Sequence, residues 1–279
     1  MSFYVMIEYP SITKLPLDKS RVDWLRYCDW GHFTPILYVS TTGGMCNRIL
    51  GLASCMAKAA LEKRVISVYW PLNGSDGTDV KWEDLFLDKL HFFTEWDLYW
   101  IMDIMHEVKW YDGVSSAYAG VDQSNIVVVK SSYDFFSDGH SLLDHSLAIS
   151  WLKSLRVQPD ILNKVESFGL PKNTLGVHLR VAEAHIRDGL FDEDPITPAI
   201  YERIRAWSGP VLAVSNNKQS KLKLQSMFPG KIISQDNIKH DRTSEGTQSA
   251  MVDLLLLSKC SERIGNNSST FFKLANYWA

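Results

Sequence analysis

One alternation constrains this chain more than anything else in it. From Leu175 to Trp278, short apolar runs take turns with amphipathic stretches. The pattern predicts strand Leu175–Leu179, helix Pro198–Trp207, strand Val211–Ser215, helix Lys218–Phe228 and strand Lys231–Ser234, then helix Thr247–Lys259, short strand Arg263–Gly265 and helix Ser269–Trp278. Such alternation builds a parallel sheet with helices on both faces. Parallel strands bring their carboxyl ends to one edge, where open α/β sheets bind ligands. Arg180 would emerge at that edge, and a guanidinium there points to phosphate. Pairing of Arg180 with a carboxylate and a core role for His178 explain the same residues equally well.

The first half carries a second unit of this kind. Ile36–Ser40 reads as a buried strand, and the loop Thr41-Thr42-Gly43-Gly44-Met45-Cys46-Asn47-Arg48 follows it. Ile49, Leu52, Ala53, Met56, Ala60 and Leu61 then repeat at helical spacing, with Lys63 and Arg64 suited to the negative end of the helix, before strand Val65–Trp70. The glycines let backbone N–H groups approach a ligand, and Asn47 and Arg48 project from the same turn. The loop is neither a G-x-G-x-x-G fingerprint nor a phosphate loop ending in GK[ST], so a plain strand-to-helix turn with a solvated Arg48 is the competing explanation. Ser150 to Phe168 is helical material interrupted by Pro159 and connects the two units. The expected fold is α/β, with two Rossmann-type lobes facing a cleft and divided at 1–165 and 166–279.

Composition narrows the class. In 279 residues with 46% hydrophobic content the chain can bury one large core or two modest ones, and its formal net charge of -3 argues against a nucleic-acid partner. Cys28, Cys46, Cys55 and Cys260 show no metal or disulfide spacing, which fits a reducing compartment. No apolar run is long enough to span a membrane and the N-terminus does not read as a leader, so the expected location is cytoplasmic. The aromatic stretch after Pro71 is read as packing onto the first sheet, including Trp82, Phe86 and Phe92, with one or two rings left for a sugar groove.

Polar groups recur at the strand ends of the second half: Arg180, Ser215-Asn216, Gln235-Asp236-Asn237 and Asn266-Asn267-Ser268-Ser269-Thr270. Small hydroxyl residues at a helix N-terminus suit an anion, and Ser268 as a helix cap is equally compatible. Asp253, alone in Met251-Val252-Asp253-Leu254-Leu255, needs a donor from the protein or from a ligand such as a nucleobase. Taken together, Gly43-Gly44-x-Cys46-Asn47-Arg48, His178-x-Arg180, and Asp253 to Ser258 leading to Ser268-Ser269-Thr270-Phe271 resemble the fucosyltransferase superfamily of α1,6-fucosyltransferases, the NodZ type and protein O-fucosyltransferases. The resemblance spans both lobes in the same order. It implies a GT-B fold, no metal cofactor, and an inverting transferase that uses a nucleotide sugar, as a soluble microbial or viral form.

By that resemblance Arg180 holds the donor diphosphate, with Ser268, Ser269 and Thr270 adding phosphate contacts. His178 and Asp253 lie near base and ribose, Ser215 and Asn237 line the same edge, and Gly44, Asn47 and Arg48 face the donor from the first lobe. The α1,6 type places a second arginine and then an aspartate after its His-x-Arg, where Val181 and Glu183 stand here. GDP-fucose is the expected donor, UDP-xylose or another UDP-sugar the alternative, and a glycan or glycoprotein hydroxyl the acceptor. Glu183 is the expected general base, with Asp188 and Asp79 behind it. Two rivals remain: a metal-dependent GT-A transferase using Asp192-Glu193-Asp194, and a nucleotide- or glycan-binding module without turnover.

Overall fold

The computed structural model describes residues 36–72, 77–92, 108–112, 126–131, 145–181, 195–235 and 242–279. β1 (Ile36–Thr41), β2 (Val65–Tyr69), β3 (Val108–Asp112) and β4 (Ile126–Ser131) form one sheet in the order β2-β1-β4-β3, and every pairing in it is parallel. β5 (Leu175–Leu179), β6 (Val211–Ser215), β7 (Ile232–Ile233) and β8 (Glu262–Gly265) form a second parallel sheet in the order β7-β6-β5-β8.

Strand order sets where each sheet opens. In the first, the chain moves from β1 outward to β2 and later returns to β4 on the other side of β1. In the second it steps from β5 to β6 and β7, then returns to β8 beside β5. A reversal of this kind leaves a crevice at the carboxyl ends of the two strands that flank it. The crevices therefore lie beyond β1 and β4, at the Gly43-Gly44 turn, and beyond β5 and β8, at Arg180 and Asn266.

The helices follow from pattern and caps. α1 (Met45–Glu62) is apolar almost all round, with Ile49, Leu50, Leu52 and Cys55 fully buried, because it is covered by the first sheet on one side and other helices on the rest. It begins at Met45, earlier than the apolar repeat indicates, since the extended Gly44 serves as its N-cap. Lys63 closes it in a left-handed conformation, φ 53°, and Arg64 pairs with Glu62 at 2.6 Å instead of facing the helix end. Pro159 separates α2 (His145–Ser154) from α3 (Pro159–Ser167) and occupies the first turn of α3, where its missing N–H costs nothing. Side-chain caps start α4 (Pro198–Ala206) at Thr197, α5 (Lys218–Met227) at Asn217 and α6 (Ser244–Ser258) at Thr243.

α7 (Thr270–Trp278) returns from the second sheet to pack on α1 and α2 as well as α6. One core consequently runs through both halves, from Leu37, Ile49 and Trp82 to Leu254, Phe272 and Leu274. Each such side chain contributes about 1.5–3 kcal/mol by leaving water. Trp82 and Phe86 are buried in it, Trp278 stacks on Phe86 at 6.1 Å, and the packing role expected for those rings holds. Hydrogen bonds also join the halves: Thr78 Oγ1 meets Thr247 Oγ1 at 2.7 Å, and Asp79 N–H donates to Arg242 O at 3.0 Å.

Candidate functional site

The turn after β1 is built for a glycine. Gly43 sits at φ +77°, and a Cβ there would lie 2.9 Å from Asn47 Nδ2. Gly44 has φ -69°, which any residue adopts, yet a Cβ there would meet nothing within 4 Å. Open space thus lies directly in front of the start of α1. Gly44, as the N-cap, has no side chain to cap that start, and no acidic residue stands in the first turn, so its N–H groups present a positive end there. α7 begins in the same way: Ser269 is the N-cap, makes no side-chain cap, and no acid follows. Ser268, which the sequence offers as a cap, instead turns its Oγ onto Asn266 Oδ1 at 2.6 Å.

The two uncapped starts belong to different halves and meet. Thr270 Oγ1 donates a hydrogen bond to Asn47 Oδ1, joining the first turn of α7 to the first turn of α1. The charge of Arg180, at the exposed end of β5, reaches both Cys46 in α1 and His178. Gly44, Asn47, His178, Arg180, Ser269 and Thr270 are thereby gathered at the two facing crevices. Cys46 is buried, and burial pushes its thiol up to about 12, so it is no nucleophile.

Arg48 is placed otherwise than a solvated first-turn residue would be. Its side chain is fully buried, with Nε donating to Gly43 O at 2.7 Å, Nη1 donating to Pro71 O, and the guanidinium 5.3 Å from the Trp70 ring centre. Burial pushes its pKa down to about 10. Arg48 thus braces the glycine turn through the carbonyls of Gly43 and Pro71.

His178 is not a satisfied core histidine. Its side chain is buried and its Nδ1 lacks a hydrogen-bond partner. The ring stacks on Phe271 at 5.1 Å and lies 6.0 Å from Phe272. Gly265 permits this: a Cβ there would fall 2.9 Å from both His178 Cβ and His178 O. Burial first, and then Arg180, pulls its pKa down to about 3, so the imidazole is neutral. An orphaned nitrogen in such a position costs about 1–3 kcal/mol until something pairs with it.

Asp253 finds the donor that its apolar helix demanded. Gln235 Nε2 donates to Asp253 Oδ1 at 2.6 Å, and buried Lys221 on α5 adds a favourable charge. Burial, the largest effect, still lifts the carboxyl to about 6. Ser215, at the carboxyl end of β6 beside Leu179, accepts the Asn217 N–H at 3.0 Å. Asn216 bonds Val181 in both directions, at 3.0 and 2.8 Å, and Val181 is buried, so this backbone is pinned directly after Arg180. The sequence reading missed the roles of Lys221 and Asn216; the strand-end position of Asn216 was the available signal. Glu183, Asp188, Asn237 and the triplet Asp192-Glu193-Asp194 lie outside the described residues.

No protein-family model matches the sequence, and no curated protein matches it either. Solved structures do match. NodZ α-1,6-fucosyltransferase co-crystallized with GDP aligns with a TM-score of 0.61 and 13% identity, over 87% of this chain and 92% of that one. Fucosyltransferase NodZ from Bradyrhizobium gives 0.59 and 13%, over the same 87% and 92%. A mutant of FUT1 from Arabidopsis thaliana in complex with GDP gives 0.57 and 14%, over 94% of this chain and 73% of that one. At such identities the likeness is one of architecture, and the chain has the two-lobed α/β fold, of GT-B type, that these fucosyltransferases share.

Proposed function

We propose that this protein is an inverting, metal-independent glycosyltransferase that moves a sugar, fucose from GDP-fucose, to a glycan hydroxyl. In this reading residues 1–165 form the acceptor-side lobe and residues 166–279 the nucleotide-sugar lobe. The observation that carries it is the Thr270-to-Asn47 hydrogen bond, which holds two uncapped helix starts together at the crevices of two sheets. Fixed N–H groups and the Arg180 guanidinium there suit a diphosphate that gains charge as it leaves. The neighbours NodZ and FUT1 are described with GDP, which supports the same nucleotide here. The metal-dependent GT-A alternative does not match a two-lobed fold of this type.

The chemistry assigned to the site is a single displacement. The acceptor oxygen forms its bond to the anomeric carbon as the bond from that carbon to the phosphate oxygen breaks. The acceptor proton passes to Glu183, and the nucleoside diphosphate departs with the bonding electron pair. Arg180 holds that diphosphate with charge-assisted hydrogen bonds, and the N–H groups in the first turns of α1, after Gly44, and α7, from Thr270 on, add to them. Ser268, whose N–H and Oγ both donate to Asn266 Oδ1, holds the turn before α7 in shape, while His178 Nδ1, Ser215, Asn237 and Asp253 serve the nucleoside. Binding by fixed dipoles requires no reorganisation during the reaction, which is where such sites gain most of their rate.

The test is release of GDP from GDP-fucose in the presence of a glycan acceptor and excess EDTA, with UDP-xylose in parallel. GDP release that survives the chelator and falls at least a hundredfold in Arg180→Ala supports the reading. Turnover from UDP-xylose alone would replace the donor. Absence of turnover with either donor, together with tight GDP binding, would identify a binding module.

A further inference from the structure

Asp253 does not stand alone at the carboxyl edge of the second sheet. Gln235, just beyond β7, donates from Nε2 to Asp253 Oδ1 at 2.6 Å and to Ser249 O at 3.4 Å. Both of those atoms are acceptors, so only the NH2 end of the amide fits against α6. The orientation of Gln235 is therefore fixed, with Oε1 left as its remaining acceptor. Among the described residues no hydrogen bond reaches Asp253 Oδ2 or Gln235 Oε1. Gln235 itself is half-buried, while the Asp253 side chain is buried. Lys221 faces the same carboxylate from α5, and its side chain is buried.

On the nucleotide-sugar reading above, we infer that Gln235 is a positioning and specificity-determining residue for the nucleobase: it fixes the Asp253 carboxylate so that Asp253 Oδ2 and Gln235 Oε1 are the acceptors left for the base. Two acceptors match an edge bearing two neighbouring N–H donors. Guanine has such an edge. Hypoxanthine offers a single N–H there, adenine alternates donor and acceptor, and uracil sets its one N–H between two carbonyls. A site built to pair with a donor discriminates strongly against the analogue that lacks it, because its own acceptor is then stranded. Gln235 also keeps a donor on Oδ1, which favours the ionised carboxylate over the acid that would itself donate.

The experiment is calorimetric titration of the full-length protein with GDP and with inosine diphosphate from pH 5 to pH 8, for wild type, Gln235→Met and Gln235→Glu. The wild type should prefer GDP by about tenfold or more, and Gln235→Met should erase most of that preference. In Gln235→Met the acid-side loss of GDP affinity should also move to higher pH, because the carboxyl has lost its donor. Gln235→Glu should move it further, since two carboxyls then compete for one proton, and this variant preserves size and polarity. A folded Gln235→Met or Gln235→Glu protein with wild-type GDP preference and an unchanged pH limb overturns the inference and leaves the GDP reading in place. A wild type that binds no GDP overturns the GDP reading itself, and this inference with it.

Discussion

Replacing the two adjacent glycines of the β1 turn should separate folding from binding. At Gly43, φ +77° lies in the left-handed region, where an L side chain costs about 1–2 kcal/mol. The new Cβ would also stand 2.9 Å from Asn47 Nδ2, displacing the amide that Thr270 holds. Gly43→Ala should therefore lose about 2–3 kcal/mol in urea unfolding, or roughly 4–8 °C in Tm for a chain of this size. Gly44 is the reverse. Its φ of -69° accepts alanine and nothing lies within 4 Å of the added methyl, so Gly44→Ala should cost under about 1 kcal/mol, the difference between glycine and alanine as an N-cap. That methyl occupies the space assigned to the diphosphate and blocks N–H groups at the start of α1. Loss of one or two hydrogen bonds to a charged group is worth about 1.5–3 kcal/mol, so GDP affinity measured by calorimetry should fall roughly 10- to 100-fold, and further in Gly44→Val. A folded Gly44→Val protein that binds GDP as the wild type does would refute the placement of the anion at this turn.

Arg48→Lys should destabilise by about 2–4 kcal/mol in urea, since an ammonium cannot reach Gly43 O and Pro71 O together while lying against Trp70. His178 and Asp253 should give stability curves of opposite slope. The folded-state pKa of His178 is depressed to about 3, so its contribution is intact above its ordinary 6.5 and is lost as pH falls; between pH 7 and pH 5 that loss is about 2 kcal/mol. Asp253 is raised to about 6, so its contribution is complete below 3.8 and is lost as pH rises through 6; it returns about 1 kcal/mol from pH 7 to pH 5. Asp253→Asn should thus become less stable over that acid step and His178→Phe more stable, and chemical denaturation at the two pH values reads both signs. Parallel slopes in the two variants would contradict the assigned pKa directions.

Much of this fold is legible in the sequence where burial and local pattern agree. β5 and β6 match their apolar runs residue for residue, because both are interior strands whose side chains are buried on both faces. β7 shrinks to Ile232–Ile233 because it is an edge strand, only half-buried, and its flanks need no partner strand. α6 starts at Ser244, ahead of its apolar repeat, and its signal was the capping Thr243, whose Oγ1 accepts the Gly246 N–H at 3.1 Å. At the site, Asn47 and Thr270 were expected near one ligand only through the family resemblance, because the hydrogen bond between them joins turns of two different sheets that no local pattern encodes. Arg48 was not legible: its role depends on carbonyls of Gly43 and Pro71 that only the folded turn brings together. The Gln235 to Asp253 pair was hidden for the same reason, as the two residues lie 18 apart in sequence.

The most direct test of the account is calorimetric titration of GDP in EDTA into wild-type and Arg180→Ala protein, with guanosine as the comparison ligand. The account predicts one GDP site without metal, a loss of roughly 10- to 100-fold in Arg180→Ala, and guanosine binding that the variant leaves alone. Equal GDP affinity in the two proteins, or GDP binding only when divalent metal is restored, would contradict it.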